Sequence, residues 1–448
     1  MRIVEGASEA RETLLKRIAL EEPELPPAVL ETNRRVFGAE LGAEEVVDRI
    51  LRDVRTDGDA AVRRYNEDLD GVRAPDVPLE VSADEIKQAY DEVEGPLVEA
   101  LRFAADRIRA FHERQLAHAT KSFMQDGLGQ SVRPIRRVGL YVPGNVVIYP
   151  STVLMTAVPA RVAGVEELIV ATPARADGSV APLKLVAADI AGASRVFRAG
   201  GAQGIAAMAY GTDSIPAVDK ICGPGNIFVT IAKKKLFGEV GIDGIFGPSE
   251  TLVVADTSAD PRLVAADMLA GAEHDELATA VLITDSAELA DNVAEIVESE
   301  IGSLARAESA RIAMDARGGA VVVASLDEAI ELASEFAAEH VCLHVRDADR
   351  YIDRIRNGGC IFAGDFSVES IGDYTAGPSH VMPTGGSARF ASPLGVNDFL
   401  KITSIVNINR EAASDIGPAG AAIARAEGLT GHARSIESRM PGPSGEDA

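Results

Sequence analysis

The chain has 448 residues, of which 44 are basic and 69 acidic, so its formal net charge is −25. This charge excludes a protein that follows a nucleic-acid backbone, and the 46% of apolar residues excludes a disordered or fibrous chain. Because there is no Trp and Phe and Tyr are few, aromatic platforms for bases or quaternary amines are not expected. These features predict a globular protein with a small, polar substrate.

The first half of the chain divides into two predicted regions. Residues 1–136 are predicted to be a mainly helical N-terminal region, because Glu, Arg, Leu and Ala recur at helical spacing, as in 43–55. From residue 137 short apolar runs, such as 167–171 and 220–222, alternate with Ala-rich helical stretches, and Gly or Pro marks each break. This alternation predicts an α/β domain over 137–248.

The second half repeats the alternation and then changes character. Apolar runs at 251–256 and 279–285 begin a second predicted α/β domain over 249–385. The remaining part, 386–448, is first glycine-rich and then helical from about Ala412, which predicts a small separate module. The predicted fold class is therefore α/β, with two consecutive α/β domains.

Glycine-rich turns give only a faint cofactor signal. Neither a strict dinucleotide fingerprint nor a P-loop is present, although residues 200–204 and 223–226 resemble phosphate-binding loops. Taken alone, each is interpreted as an ordinary turn between a strand and a helix. On the same basis Tyr141 is a strand-core aromatic residue, and Gln203 and Asn226 are turn residues.

Histidines in the last 40% of the chain carry a stronger signal. Four of them have a carboxylate close by in sequence: Glu273 with His274, Glu339 with His340, Asp373 with His380, and Glu427 with His432. One such pair is common in any protein, but four of them predict a divalent metal bound by imidazole and carboxylate, with a free His–Glu pair beside it. The pattern does not choose between metals, or between oxidation and hydrolysis.

The cysteines and the apolar runs predict a cytoplasmic location. Cys222, Cys342 and Cys360 are far apart and form no CxxC pair, which argues against a disulfide framework and against a thiolate zinc site. The N-terminus lacks a basic stretch followed by an apolar one, so no signal peptide is expected. The uncharged run at 138–160 is broken repeatedly by Pro and Gly, so no membrane anchor is expected either.

Ten stretches of the chain, in order across roughly residues 30–435, resemble the histidinol dehydrogenase family. They lie at 138–144, 149–155, 200–212, 220–226, 247–250, 272–275, 338–340, 372–384, 396–401 and 427–432. The resemblance implies two incomplete Rossmann-like α/β domains without the glycine fingerprint, a helical N-terminal region and a small C-terminal helical module. It also implies oxidation of L-histidinol through L-histidinaldehyde to L-histidine with two NAD⁺, the last step of histidine biosynthesis.

The resemblance further implies a role for individual residues. His340 would be the general base that takes the hydroxyl proton as hydride leaves, and Glu339 would activate the water that attacks the aldehyde. The residues implied to contact NAD are Tyr141, Gln203 and Asn226. Those implied to bind zinc are His274, Asp373 and His432. Those implied to bind the substrate are Ser249, His274, His340, Asp373, His380, Glu427 and His432.

In such enzymes the last zinc ligand comes from the partner subunit. The resemblance therefore implies a homodimer with sites shared between subunits, and the C-terminal module would reach the partner.

Three places depart from the family pattern: Gly271, Asn145, and Pro378-Ser379 between Gly377 and His380. Gly271 stands where the family has a Gln whose side-chain oxygen is a zinc ligand, so a water or another group would fill that place and zinc would bind more weakly. Asn145 stands where Pro-Gly-Gly is usual beside the cofactor loop. Two alternatives therefore stay open: a related dehydrogenase of another small polar alcohol, and a non-catalytic homologue that lost zinc.

Overall fold

The described part of the chain, in a computed structural model, comprises residues 1–17, 25–74, 76–144 and 147–440, so Asn145 lies outside it. The chain forms two compact units. The first unit combines Met1–Ala117 with Ile135–Phe399, and the second combines His118–Pro134 with Leu400–Ala448. None of the helices in the described ranges has both the length and the apolar character that crossing a bilayer requires.

The strands are short, from two to seven residues. In chain order they are β1 (Arg2–Glu5), β2 (Phe123–Gln125), β3 (Leu128–Pro134), β4 (Arg137–Tyr141), β5 (Glu167–Thr172), β6 (Arg195–Arg198), β7 (Lys220–Cys222), β8 (Gly241–Ile242), β9 (Glu250–Ala255), β10 (Thr279–Thr284), β11 (Gly318–Val322), β12 (His340–His344), β13 (Cys360–Ala363) and β14 (Leu400–Val406).

The α-helices connect and cover these strands. They are α1 (Ala7–Glu12), α2 (Pro27–Phe37), α3 (Ala43–Asp57), α4 (Asp59–Asp68), α5 (Ala83–Glu92), α6 (Gly95–Ala117), α7 (Pro150–Ala163), α8 (Pro182–Ile190), α9 (Gly201–Tyr210), α10 (Ile227–Leu236), α11 (Pro261–Ala272), α12 (Ala287–Glu300), α13 (Ala307–Arg317), α14 (Leu326–Phe336), α15 (Glu369–Ile371), α16 (Arg410–Ala426) and α17 (Thr430–Glu437). Short 3₁₀ turns lie at Ile301–Ser303, Ala348–Arg350, Ile352–Arg354, Ser387–Arg389 and Val396–Phe399, and a π-helix spans Gly372–Ala376.

The first unit contains two parallel sheets of related topology. One has the strand order β6-β5-β4-β7-β8, and the other has the order β1-β11-β10-β9-β12-β13. If β4 and β9 are each counted as strand 1 and the strands after them as 2 to 5, both sheets have the order 3-2-1-4-5, and β1 is added at one edge of the second sheet. This is the Rossmann order without its sixth strand. The prediction of two incomplete Rossmann-like α/β domains is thereby confirmed.

Strand β9 shows why this part of the chain forms a doubly covered sheet. Leu252 and Val254 pack in the apolar cluster on one face, and Val253 and Ala255 pack in the cluster on the other. All four residues are fully buried. A strand with apolar residues on both faces requires helices on both sides, as parallel sheets have.

The predicted domain boundaries differ from the observed units. Strand β1 pairs in parallel with β11, so the N-terminal region contributes an edge strand to the six-stranded sheet. Helix α3 packs Val47 and Ile50 in the same apolar cluster as Phe197 of β6, so this helical region is part of the first unit. A short edge strand and packing between residues far apart in the chain leave little pattern in the neighbouring sequence, so these boundaries were not predicted.

The second unit is built from two separate stretches of the chain. Strands β14, β3 and β2 form an antiparallel sheet, in which β14 and β3 pair over seven residues from Leu400–Pro134 to Val406–Leu128. Helices α16 and α17 share a small cluster of Ala421, Ala424 and Ala433. This unit therefore begins at Leu400 and takes in 118–134, whereas the predicted module was 386–448.

Candidate active site

The predicted site residues lie at opposite ends of strands in the two parallel sheets. Tyr141 is the last residue of β4, at the carboxyl edge where open α/β sheets bind ligands. His340, in contrast, is the first residue of β12 and pairs with Thr251 near the start of β9. The candidate catalytic residues therefore occupy the amino edge of the six-stranded sheet.

His340 is buried among three carboxylates. Its Nδ1 atom lies 3.4 Å from Glu369 Oε1 and 3.8 Å from Glu339 Oε2, and its Nε2 atom lies 3.7 Å from Asp373 Oδ1. Within the described ranges neither ring nitrogen has a hydrogen-bond partner. Both nitrogens of this imidazole are thus available to a ligand.

His274 joins the same carboxylates from another element. His274 follows Glu273, which is the C-cap of α11. The His274 side chain is about one-third exposed. Its Nε2 atom lies 3.8 Å from both Glu369 Oε1 and Asp373 Oδ2. His274 thus gives this otherwise buried cluster a side that is open to solvent.

Local backbone geometry brings the two central carboxylates together. Glu369 begins the short helix α15, and Asp373 lies four residues later in the π-helix that follows it. Residues four apart on a helix share a face, and π-turns occur often at functional sites. The segment therefore directs two carboxylates toward the same small volume.

The pKa values reflect crowding of acidic groups. Burial raises the pKa of the Glu339 carboxyl to about 8, and it also raises the pKa of Glu369. Burial alone would lower the pKa of His340, but the carboxylates of Glu369, Glu339 and Asp373 raise it to about 10. Burial alone would raise the pKa of Asp373, but the neighbouring histidines His340, His380 and His274 together lower it.

The donor set fits a divalent metal ion. Ligand atoms of His274, Glu369 and Asp373 all lie within 4.8 Å of one another. Among the described residues, Glu369 Oε1 and Asp373 Oδ1 are buried without a hydrogen-bond partner, an arrangement that costs free energy unless a cation or a donor is present. One imidazole and two carboxylates are ordinary ligands of zinc and of similar ions.

Of two further predicted substrate residues, His380 borders the cluster and Ser249 precedes β9. His380 Nδ1 lies 3.0 Å from the Asp373 carbonyl, and its Nε2 lies 3.2 Å from Thr152 Oγ1. Burial lowers the pKa of His380, so its ring is neutral near pH 7. Ser249 directly precedes β9, and its carbonyl accepts a hydrogen bond of 2.9 Å from the Thr279 amide.

The three predicted cofactor residues have structural partners of their own. The Tyr141 hydroxyl accepts a 3.0 Å hydrogen bond from the Gly201 amide at the start of α9. Gln203 Nε2 donates to Asp70 Oδ2 at 3.0 Å, and burial raises the pKa of Asp70 to about 7. Asn226 is the N-cap of α10, where its side-chain oxygen accepts from two backbone amides.

The turns at the carboxyl edge of the five-stranded sheet are tightly held. Gly223 has φ +114°, and a Cβ atom there would lie 2.1 Å from the Tyr141 carbonyl oxygen, so only glycine fits. Lys184 Nζ donates to the carbonyls of Pro143 and Gly144 at 2.8 and 2.6 Å. These contacts fix the turn after β4 and the start of the turn after β7.

Glu427 and His432 lie in the second unit. Glu427 caps the end of α16, and His432 lies in the first turn of α17. Their predicted roles in substrate and zinc binding stay predictions.

Sequence reasoning missed two residues of the site. Glu369 has no histidine beside it in sequence, although its spacing of four from Asp373 was a usable signal for two carboxylates on one helix face. Lys184 lies in an Ala-rich helix, far in sequence from the turn it holds, and no local pattern identifies it.

Comparisons with known proteins agree with this architecture. The family model described as histidinol dehydrogenase matches residues 34–440. Histidinol dehydrogenase of Deinococcus radiodurans is 50% identical over 443 residues, which cover 98% of this chain and 100% of that protein. One from Dehalococcoides mccartyi is 50% identical over 412 residues, covering 92% of this chain and 94% of that protein.

A solved structure extends the agreement to three dimensions. The crystal structure of histidinol dehydrogenase from Elizabethkingia anophelis matches with a TM-score of 0.88 and 31% identity, over 98% of each chain. The structural match covers nearly the whole length of both chains and agrees with the family model. The chain belongs to the histidinol dehydrogenase family.

Proposed function

We propose that this chain oxidises L-histidinol through L-histidinaldehyde to L-histidine with two NAD⁺, as the last step of histidine biosynthesis. The observation that carries the proposal is the buried His340–Glu339 pair beside the His274–Glu369–Asp373 cluster. An alcohol oxidation followed by an aldehyde oxidation needs two bases and a positively charged centre, and this arrangement supplies groups for each.

His340 is assigned the alcohol step. Its imidazole has unpartnered nitrogens and takes the hydroxyl proton as hydride leaves the carbinol carbon. The pKa of His340, about 10, is set by the carboxylates around it, so neutralising their charge returns the imidazole toward the range of a useful base. When bound, a zinc ion would supply that neutralisation and hold the amino and imidazole nitrogens of the substrate.

Glu339 is assigned the aldehyde step. Its Oε2 atom accepts a hydrogen bond from the Glu250 amide at 3.2 Å, which fixes the carboxylate beside the imidazole. Burial raises its pKa to about 8, so the carboxylate is a better proton acceptor than an exposed Glu. It can therefore take a proton from the water that adds to the aldehyde.

NAD is assigned to the carboxyl edge of the five-stranded sheet. Tyr141, Gln203 and Asn226 lie there, on or beside the turns that begin α9 and α10. Two helix N-termini direct backbone amides and positive dipole ends to one edge, which suits a pyrophosphate. Gly223, which follows β7, lets the turn before α10 pack against the Tyr141 carbonyl at this edge.

The zinc and substrate sites are proposed to be shared between two copies of the chain. His274 and Asp373 of one subunit would hold the metal with His432 of the other. Ser249 and His380 would bind the substrate from the first subunit, and Glu427 from the second. The three cysteines form no disulfide, which supports a cytoplasmic location for this homodimer.

The experiment is a count of NADH formed from a limiting amount of L-histidinol, with metal-stripped protein and again after zinc is added. We expect two NADH per histidinol with zinc, and at least about a hundredfold lower rate without it. A matched assay with small hydroxylated or sulfonated propanols tests the substrate. Faster oxidation of a propanol would overturn the choice of histidinol, and absence of NADH in every assay would overturn catalysis.

A further inference from the structure

Glu369 has a buried oxygen without a partner. Its side chain is 1% exposed, and its Oε2 atom accepts a 2.8 Å hydrogen bond from the Thr251 hydroxyl. Its Oε1 atom has no hydrogen bond within the described part of the chain, and it lies 3.8 Å from His274 Nε2. A buried carboxylate oxygen in this state requires a cation or a donor.

Gly271 leaves room for the side chain that holds this carboxylate. A Cβ atom at 271 would lie 2.3 Å from Thr251 Oγ1 and 2.7 Å from Thr251 Cβ, so Thr251 occupies the space that a longer residue 271 would need. The same Thr251 hydroxyl donates to Glu369. Thr251 thus links the absence of a side chain at 271 to the orientation of Glu369, in the way that residues behind a metal ligand hold that ligand in place.

The distances suit coordination. With metal–ligand bonds of about 2.1 Å, ligand atoms at a tetrahedral centre are about 3.4 Å apart. Glu369 Oε1 lies 3.8 Å from His274 Nε2, which in turn lies 3.8 Å from Asp373 Oδ2. All three ligand atoms lie within 4.8 Å of one another, so small movements of the side chains can close the set around an ion.

We propose that Glu369 is a metal ligand in this chain, taking the coordination position for which Gly271 has no side chain. The inference rests on the proposed function, because it assumes a divalent ion at His274 and Asp373. A carboxylate in place of a neutral amide adds one negative charge to the ligand set and strengthens its attraction for the ion.

A purely electrostatic role is the rival explanation. Glu369 Oε1 also lies 3.4 Å from His340 Nδ1, so the carboxylate could act only by its charge on the imidazole. The two roles differ in what an amide at 369 does. An amide oxygen can still ligate a metal, whereas it carries no charge.

The test measures zinc affinity rather than turnover. Full-length, metal-stripped protein is titrated with Zn²⁺ against a chromophoric chelator for the parent, Glu369→Leu, Glu369→Gln and Glu273→Ala. Leu has a volume close to that of Glu and no oxygen. Glu273 adjoins His274 in sequence, so its removal controls for the loss of one charge near the site.

We expect the Zn²⁺ dissociation constant to rise at least 100-fold in Glu369→Leu, at most 10-fold in Glu369→Gln, and less than threefold in Glu273→Ala. Equal weakening in the Leu and Gln variants would overturn ligation in favour of charge alone. Parent-like affinity in Glu369→Leu would overturn any role at the metal. If the parent itself binds no Zn²⁺, the zinc dependence of the proposed function fails together with this inference.

Cobalt substitution gives a second measurement that does not depend on the Leu variant folding. Co²⁺ replaces zinc, and its visible absorption reports the identity and number of ligand atoms. We expect the bands of Glu369→Gln to shift from those of the parent, because an amide oxygen is a weaker ligand than a carboxylate. An unchanged spectrum in Glu369→Gln would overturn direct coordination.

Discussion

Glu339 and His340 are adjacent residues with different surroundings. Glu339 precedes β12 and is fixed by the Glu250 amide, whereas His340 begins the strand and faces Glu369 and Asp373. The Glu339 Oε2 atom nevertheless lies only 3.8 Å from His340 Nδ1. Two neighbouring bases with different partners can therefore serve two steps of one reaction.

The Glu339→Gln substitution is expected to separate those steps. It removes the base for water but leaves His340 in place, so oxidation of L-histidinaldehyde should slow by about 10²-fold or more, and oxidation of L-histidinol by much less. Stopped-flow measurement of NADH from each substrate gives the two rates. In the parent the aldehyde rate should rise with pH as Glu339 loses its proton, and the variant should lack that rise.

A matched control is Glu335→Gln on α14. Glu335 is half-exposed and pairs with Arg11, so its loss removes one charge at little cost in stability. We expect parent-like rates in both half-reactions. If Glu339→Gln instead slows both half-reactions equally, the assignment of water activation to Glu339 is wrong.

Proximity in sequence indicated which candidate residues lie close together in space. His274, His340 and Asp373 each stand close to another candidate group in sequence, and the structure brings them into one cluster. Glu369 reaches the same cluster through Thr251 of a distant strand, so no local motif marks it. A side chain that acts through a tertiary contact leaves only spacing as a signal.

At the scale of elements, Asn226 at the start of α10 has an observed role in the fold and a proposed role in NAD binding. Asn226 was expected to contact the cofactor, and in the structure its side-chain oxygen accepts from the Phe228 and Val229 amides at 3.1 and 3.2 Å. Its amide nitrogen is not part of that cap. The two functions can therefore be tested apart.

Substitutions at Asn226 are expected to separate capping from cofactor binding. Asn226→Ala loses the cap and should lower the free energy of unfolding by about 1 kcal/mol, whereas Asn226→Asp keeps the cap. Both variants should raise KM for NAD⁺, Asp by about tenfold or more, because the donor is lost and a negative charge faces a pyrophosphate. Urea unfolding and initial rates measure the two effects.

The N-cap of a distant helix provides the comparison. Ser286 caps α12 through the Leu289 amide, so Ser286→Ala should cost similar stability without changing KM for NAD⁺. A parent-like KM in Asn226→Asp would show that Asn226 is a helix cap only.

The secondary-structure elements that could be predicted are those whose formation depends on neighbouring residues in the sequence. Buried strands such as β9 and β10 are uninterrupted apolar runs, so the alternation of strands and helices and the α/β class could be read from sequence. Strand β1 could not be, because four residues with one buried side chain give no pattern and only pairing with β11 makes them a strand. The antiparallel pairing of β14 with β3 joins residues more than 260 positions apart, which local periodicity does not reveal.

At the scale of the whole molecule, the second unit exposes apolar side chains. On α16, Ile416 is 55% exposed and Ile423 is 61% exposed, and the two are seven residues apart, hence on one face of the helix. On β14, Ile402 and Val406 are 53% and 73% exposed. Apolar residues grouped in this way usually mark an interface, which fits the proposed sharing of Glu427 and His432 between subunits.

The double substitution Ile416→Lys with Ile423→Lys is expected to yield a monomer. Two desolvated lysines on an apolar face cost several kcal/mol of association free energy, enough to dissociate a dimer at micromolar concentration. Light scattering after size exclusion gives the mass. Because His432 would then be absent from the partner's site, zinc affinity should fall together with turnover, while the circular dichroism spectrum stays that of the parent.

The exposed Ile312 on α13 offers a control, and Ile312→Lys should remain dimeric and active. A double variant that is still dimeric and fully zinc-loaded would show that this face of α16 does not join the subunits.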